Sequence, residues 1–330
     1  MSGTTFAPPR LLDNPHVQSV LASHKLRRWL RGTAIDGYEA GAEHVLLDCG
    51  DGVRLQGWYN PAPAEPARGL VVLLHGWEGS ARSSYLGNTG LALQAAGFAT
   101  FRLEFRDHGE GQHLNEGLFH SCRLDEVVGA VQAIAQRWPA RPLLLAGFSL
   151  GGNFALRVAL RAPAAGIPLT HAVAVCPAID PANVLEAMER GPWFYHQYFM
   201  MKWRRSLKRK QLAFPDRYDF APLLRGLGMR ALTQELIVRE GEFESLAAYF
   251  DGYSIAHDRL AGLAVPATIL TSEDDPIIPV RDFRSLRLPD TARLHIVRHG
   301  GHCGFLENWR LDSWAERFVV NACERAADGA

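Results

Sequence analysis

From residue 69 onward the chain alternates short apolar runs with segments of helical spacing. GLVVLLHG, Gly69 to Gly76, is almost wholly apolar and Val/Leu-rich, as a strand covered on both faces requires. Leu86 to Ala96 predicts a helix that stops at Gly97, and Phe98 to Phe105 predicts the next strand. Leu124, Val127, Val128, Val131 and Ile134 share one face of a helix over Leu124 to Trp138, closed off by Pro139 and Pro142. Leu143 to Phe148 then reads as a strand, Leu150 to Arg161 as a helix and His171 to Cys176 as a strand. Ala267 to Thr271 and Ala292 to Val297 predict two more strands, and Asn308 to Ala327 a closing helix. Upstream, His44 to Cys49 and Val53 to Tyr59 form a hairpin pattern turned by Gly50-Asp51-Gly52, followed by a Pro/Ala-rich loop from Pro61 to Gly69.

Strands alternating with helices predict an α/β fold: a mostly parallel central sheet flanked by helices. One segment breaks the rhythm. Roughly ninety residues separate Cys176 from Ala267, where a parallel crossover needs only about a dozen. The excess predicts a helical cap, 181–260, inserted between the sixth and seventh strands on the side of the sheet where ligands bind. The remainder divides into an N-terminal extension, 1–40, packed on a core made of 41–180 and 261–330.

Composition narrows the partners. The 330 residues are 47% apolar, enough for a substantial core, and 35 basic residues balance 35 acidic ones. Nothing global attracts a polyanion, so nucleic acid is not an expected partner. Five widely spaced cysteines without a Cys-x-x-Cys suit a reducing compartment. The first residues hold no charged leader with an apolar core, and the longest apolar runs are strand-sized, so a cytoplasmic location is expected. Oligomeric state cannot be read from the sequence.

The candidate chemistry begins at Gly147-Phe148-Ser149-Leu150-Gly151. A nucleophile at the carboxyl end of a parallel strand is pushed outward by a tight turn into a helix, and glycine two residues either side removes the clash. Gly252-Tyr253-Ser254-Ile255-Ala256 is a near-match lacking both the strand and the second glycine. A serine hydroxyl needs a base, and the base needs an orienting carboxylate, in the chain order Ser, Asp or Glu, His. Asp275 in DDPIIP follows one predicted strand and is the favoured acid, with Asp274, Glu273 and Asp180 as rivals. His302 in HGGHCGF follows the next and is the favoured base, with His299 as rival. The backbone N–H groups of Leu150 and of Trp77, in the loop His75-Gly76-Trp77-Glu78, would bind an oxyanion. A metal reading of His295, His299, His302 and Cys303 is weaker, because these residues straddle a strand and no carboxylate cluster accompanies them. The pattern as a whole points to a serine hydrolase acting through an acyl-enzyme.

These stretches, with FAPPRLLDNPHVQS, VVLLHGWEGSARSSYL and FRDHGEGQHLNEGLFHSCRLDEV, resemble the α/β-hydrolase superfamily, and more narrowly its YheT-like group, relatives of the α/β-hydrolase-domain lipid esterases. The resemblance implies Ser149, Asp275 and His302 as nucleophile, acid and base, carboxylic-ester hydrolysis on short- to medium-chain acyl groups, and no metal or cofactor. An acyltransferase and a non-hydrolytic binding protein of the same fold are the alternatives. The chain departs from the group at Glu104 to Gly109, where Asn-x-Arg-Gly is common, and at Trp77, where a smaller residue is common.

GPWFYHQYFMMKWRRSLKRK, Gly191 to Lys210, is apolar nearly all round a helix and then strongly basic. It predicts a pocket wall from Trp193, Phe194, Tyr198 and Met201, with Phe148 beside the serine, for a small-molecule or lipid-like ester. A sharper version has the basic run meeting lipid phosphates in a peripheral membrane contact; the plainer one has it solvated.

Overall fold

The computed structural model of the chain describes residues 6–23, 25–239 and 243–329. Two helices, α1 (Pro15–Ser23) and α2 (Lys25–Ala40), precede the antiparallel hairpin β1 (Glu43–Asp48) and β2 (Arg54–Asn60). Its turn holds Gly50, Asp51 and Gly52 at positive φ, the left-handed region that glycine enters freely. Then come β3 (Leu70–Leu74), α3 (Ser84–Ala95), β4 (Ala99–Glu104), α4 (Leu124–Arg137), β5 (Leu143–Phe148), α5 (Leu150–Arg161) and β6 (Leu169–Val175). Four helices follow: α6 (Pro181–Arg190), α7 (Trp193–Ala213), α8 (Met229–Arg239) and α9 (Leu246–Tyr253). The chain closes with β7 (Ala267–Ser272), the short α10 (Val280–Arg284), β8 (Ala292–Val297) and α11 (Trp314–Asp328).

The eight strands form one sheet in the order β1-β2-β4-β3-β5-β6-β7-β8, with β2 alone running against the rest. Every residue of β3 and β5 is buried, which explains their continuous apolar runs. Side chains alternate between two core layers. In β5, Leu143 and Leu145 join a cluster with Val131 of α4 and Phe154 of α5. Leu144, Ala146 and Phe148 join the opposite cluster, with Leu86 of α3 and Phe318 of α11. From β3 the chain crosses to β4 on one side, and β5 lies on the other. The loops after β3 and β5 therefore flank a switch point, where open α/β sheets form a ligand crevice.

Helices α6 to α9 leave the sheet after β6 and return at the same place, with Ile255 N donating to Ile179 O at 3.0 Å. Their buried side chains, among them Leu185, Met200, Leu232 and Phe250, belong to the same cluster as α4 and α5. Asp180 caps α6 by accepting from Ala182 N at 2.9 Å, which accounts for that carboxylate without a catalytic role. Residues 1–5, 24, 240–242 and 330, which fall in the expected extension, cap and core, lie outside the described residues.

One predicted element begins late. The closing helix starts at Trp314 rather than Asn308, because Asn308 Oδ1 accepts from Arg310 N at 3.0 Å and Asp312 N at 3.2 Å, an Asx turn that competes with helix. Among the described residues, no helix is long and apolar enough to cross a membrane.

Candidate active site

Ser149 closes β5 and opens α5 at φ 54°, ψ −121°, a strained conformation for a residue with a Cβ. The flanking glycines make the bend sterically feasible. A Cβ on Gly147 would lie 2.1 Å from Gly151 O, and one on Gly151 would lie 2.4 Å from Leu74 O. Hydrogen bonds hold the strained residue: Ser149 N donates to Val175 O at 2.9 Å, and Asn153 N donates to Ser149 O at 3.1 Å. Ser254, the near-match, has an ordinary extended backbone at φ −63°, ψ 139°.

The ring of His302 bridges the serine and a carboxylate. Its Nε2 lies 2.9 Å from Ser149 Oγ and its Nδ1 lies 2.8 Å from Asp275 Oδ2. With only acceptors at the carboxylate, Nδ1 carries the ring proton and Nε2 presents its lone pair to the serine. Asp275 Oδ1 accepts from Ile277 N at 2.8 Å and Ile278 N at 2.9 Å, so the turn after β7 fixes the carboxylate. The Asp275 side chain is fully buried. The rivals are engaged elsewhere. Asp274 accepts from Gly301 N at 2.9 Å and meets His299 at 3.3 Å, while Glu273 pairs with Arg284 at 2.6 Å.

Burial opposes a charge on His302, but the Asp275 carboxylate and the Cys303 sulfur together outweigh it and raise the imidazole well above its ordinary value of 6.5. His75 behaves in the opposite way. Burial, with His108 beside it, lowers it well below 6.5, so it stays neutral. Its Nδ1 donates to Gly76 O at 2.8 Å and its Nε2 accepts from Phe105 N at 3.2 Å. Gly79 N donates to the same Gly76 carbonyl at 2.9 Å. That carbonyl and the Trp77 N–H share one trans peptide and point in opposite directions, so pinning one aims the other. Neither Trp77 N–H nor Leu150 N–H donates to another group of the described chain. A Cβ on Gly76 would stand 3.2 Å from Ser149 Cβ, which shows how closely the loop abuts the serine.

Ser149 and His302 open into a cavity of about 140 Å³, walled mainly by apolar side chains. Trp77 and Leu150 line it, as do Met188 of α6, Phe199 and Trp203 of α7, Phe250 of α9 and Ile277. Trp77 stacks on Phe199 at 5.5 Å and meets Trp203 edge-on at 5.3 Å. The predicted wall is corrected here. Phe148 is 1% exposed on the opposite face of the sheet, packed on Tyr85 at 5.0 Å, because period-two alternation turns it away from the crevice. Trp193, Phe194, Tyr198 and Met201 do not line the cavity, and they are 75%, 36%, 41% and 61% exposed. They lie on the outer side of α7, whose inner row is Phe199, Trp203 and Leu207, spaced by four.

The basic run is not uniformly solvated either. Lys210 is buried, and its Nζ donates to Asp107 Oδ1 at 2.8 Å, Asn115 O at 2.5 Å and Gly117 O at 3.1 Å. It ties α7 to the loop after β4.

Sequence reasoning missed the support of the histidine loop by α1. His302 N donates to Ser19 Oγ at 2.8 Å, and Ser19 Oγ donates to Pro15 O at 2.7 Å. Gln18 clasps Leu306 from both sides, accepting from its N at 2.6 Å and donating to its O at 3.0 Å. A polar Gln-Ser pair inside a short helix near the N-terminus was the available signal, but its partners lie more than 280 residues away.

A switch-point crevice, a serine on a strained strand–helix bend, and a histidine and aspartate in line behind it are features of the α/β hydrolases. The chain belongs to this class: the model of the alpha/beta hydrolase family matches residues 71–312. It is similar to YheT of Escherichia coli strain K12, at 28% identity, with 92% of this chain and 88% of that protein covered. It is also similar to mouse phospholipase ABHD3, at 22% identity, with 92% of this chain and 71% of that protein covered. Among solved structures, the esterase Pf2001 of Pyrococcus furiosus shares the fold at a TM-score of 0.54 and 14% identity, with 87% of this chain and 90% of that one covered.

Proposed function

We propose that the chain is a serine-dependent carboxylic ester hydrolase working through an acyl-enzyme. Ser149 Oγ attacks the ester carbonyl while His302 Nε2 takes its proton, and Asp275 holds the ring and balances the imidazolium. The N–H groups of Leu150 and Trp77 receive the oxyanion, an interaction worth roughly 10²- to 10³-fold in rate per donor. His302 returns the proton to the departing alcohol, which leaves an acyl-Ser149. Water, deprotonated by His302, then attacks the acyl carbon and releases the acid.

The observation that carries this reading is the relay from Ser149 through His302 to Asp275, at 2.9 and 2.8 Å, at the floor of an apolar cavity. The names of a phospholipase and an esterase among its relatives support it. In this reading α6 to α9 are the cap and the cavity is the acyl site. Its volume of about 140 Å³ resembles that of an engineered cavity that admits benzene, so it suits an acyl chain of about four to six carbons.

A series of p-nitrophenyl esters from acetate to dodecanoate tests the reading. Turnover should peak at the short end and fall once the chain outgrows the cavity. Folded protein that hydrolyses none of the series would contradict it.

A further inference from the structure

Beside His302 lie two thiols that the proposed hydrolysis does not use as reacting groups. Cys176 follows β6 and Cys303 follows the histidine; both are buried and neither is in a disulfide. Cys303 Sγ lies 3.9 Å from His302 Nε2. The two sulfurs and a ring nitrogen of His302 all lie within 4.8 Å of one another. Both cysteines have positive φ, 45° and 58°, so their places are imposed by β6 and the tight loop after β8.

The Cys303–His302 separation is close to one edge of a small tetrahedral centre. With Zn–S near 2.3 Å and Zn–N near 2.0 Å, a sulfur and a nitrogen ligand stand about 3.6 Å apart, and two sulfurs about 3.8 Å. Only a few tenths of an ångström separate Cys303 Sγ and His302 Nε2 from that edge length. Asp275, 2.8 Å from Nδ1, leaves Nε2 as the free lone pair and supplies the carboxylate–imidazole pairing typical of metal-bound histidines. Cys303 Sγ also approaches Val175 O at 3.8 Å and Cys176 Sγ approaches Gly301 O at 4.0 Å, and the two thiols hydrogen-bond to each other. Ser149 Oγ lies 2.9 Å from the same Nε2, and the imidazole end of the site faces the cavity that Ser149 and His302 line.

We propose that Cys176, Cys303 and His302 bind a thiophilic divalent cation, zinc foremost, and that its arrival switches Ser149 off by occupying the nitrogen that serves as base. The switching rests on the hydrolase reading above; the metal site does not. Two Zn–S bonds and one Zn–N bond form, the two thiol protons leave to solvent, and nothing is oxidised.

Cobalt(II) is the probe, because thiolate-to-cobalt charge transfer in the near ultraviolet reports the ligands directly. Wild-type full-length protein should bind one cobalt with the band strength of two thiolates, and zinc should displace it while ester turnover falls at least tenfold. Chelation should restore turnover. Cys303→Ala should lose the band and at least tenfold in zinc sensitivity while keeping its basal turnover; Cys49→Ser should behave as wild type. Absence of a thiolate band in the wild type would overturn the proposal without need of any variant. Full zinc sensitivity in folded Cys303→Ala, or thiolate-bound cobalt with turnover unaffected, would overturn it as well. A strong thiolate band in a protein without ester turnover would uphold the metal site and sink the hydrolase reading instead.

Discussion

Below the cavity, Ser149, Asp275 and His302 stand on loops at strand ends, and backbone contacts decide where each one points. Ser149 is held by Val175 O and two obligatory glycines, Asp275 by two amides of its own turn, and His302 by the hydroxyl of Ser19. Above the cavity, α6 to α9 present Met188, Phe199, Trp203 and Phe250, whose placement depends on how each helix is rotated. Positions held by backbone tolerate no change of residue type. Positions on a helix face tolerate exchange among apolar side chains of similar volume, so chemistry and substrate size can vary independently.

Changes below the cavity should be the most costly. Asp275→Asn puts an amide donor against Nδ1 and favours the wrong tautomer, so kcat should fall about 10⁴-fold with the circular dichroism spectrum unchanged. A loss under tenfold would remove Asp275 from the relay. Lys210→Met breaks the clamp between the two regions and strands Asp107 in the protein interior; chemical denaturation should show a loss of about 3–5 kcal/mol. An unchanged midpoint would mean that the two regions do not depend on this contact.

The pH profile separates the regions more gently. In the proposed mechanism His302 has to be neutral to accept the serine proton, and it is charged below its pKa. Since Asp275 raises that pKa, kcat/KM should fall on acidification with a midpoint above 6.5, and Asp275→Asn should move this limb to lower pH in the residual activity. A midpoint at or below 6.5 would contradict the geometry of the pair. Above the cavity, Phe199→Ala and Trp203→Ala should extend the favoured acyl chain and shift the ratio of long to short ester turnover by about tenfold. Trp193→Ala, 75% exposed, should leave the ratio within about twofold. Equal shifts for Trp193 and Phe199 would place the wrong face of α7 on the cavity.

The same contrast explains what the chain made legible. Gly-x-Ser-x-Gly is a steric requirement with a fixed spacing, and continuous apolar runs mark β3 and β5 because both are covered on two faces. Asp275 and His302 follow recognisable strands, so Ser149 and its two neighbours in space were found across more than 120 residues. Helix α7 carried no comparable signal. Trp193 to Trp203 is apolar nearly all round, so periodicity could not choose Phe199 and Trp203 over Trp193 and Met201. Phe148 was misplaced for a simpler reason: adjacency to the serine in sequence puts it on the opposite face of the sheet. Lys210 looked like one more surface charge in a basic run, and only its distant partners in the loop after β4 explain its burial.

The most direct test of the central claim compares wild type, Ser149→Ala and Ser254→Ala in butyrate ester hydrolysis, with covalent labelling by a fluorophosphonate. Wild type and Ser254→Ala should turn over and label equally, and Ser149→Ala should lose the label and about 10⁴-fold or more of the rate. A Ser149→Ala protein that kept near-normal turnover, or took up the label at another residue, would contradict the account.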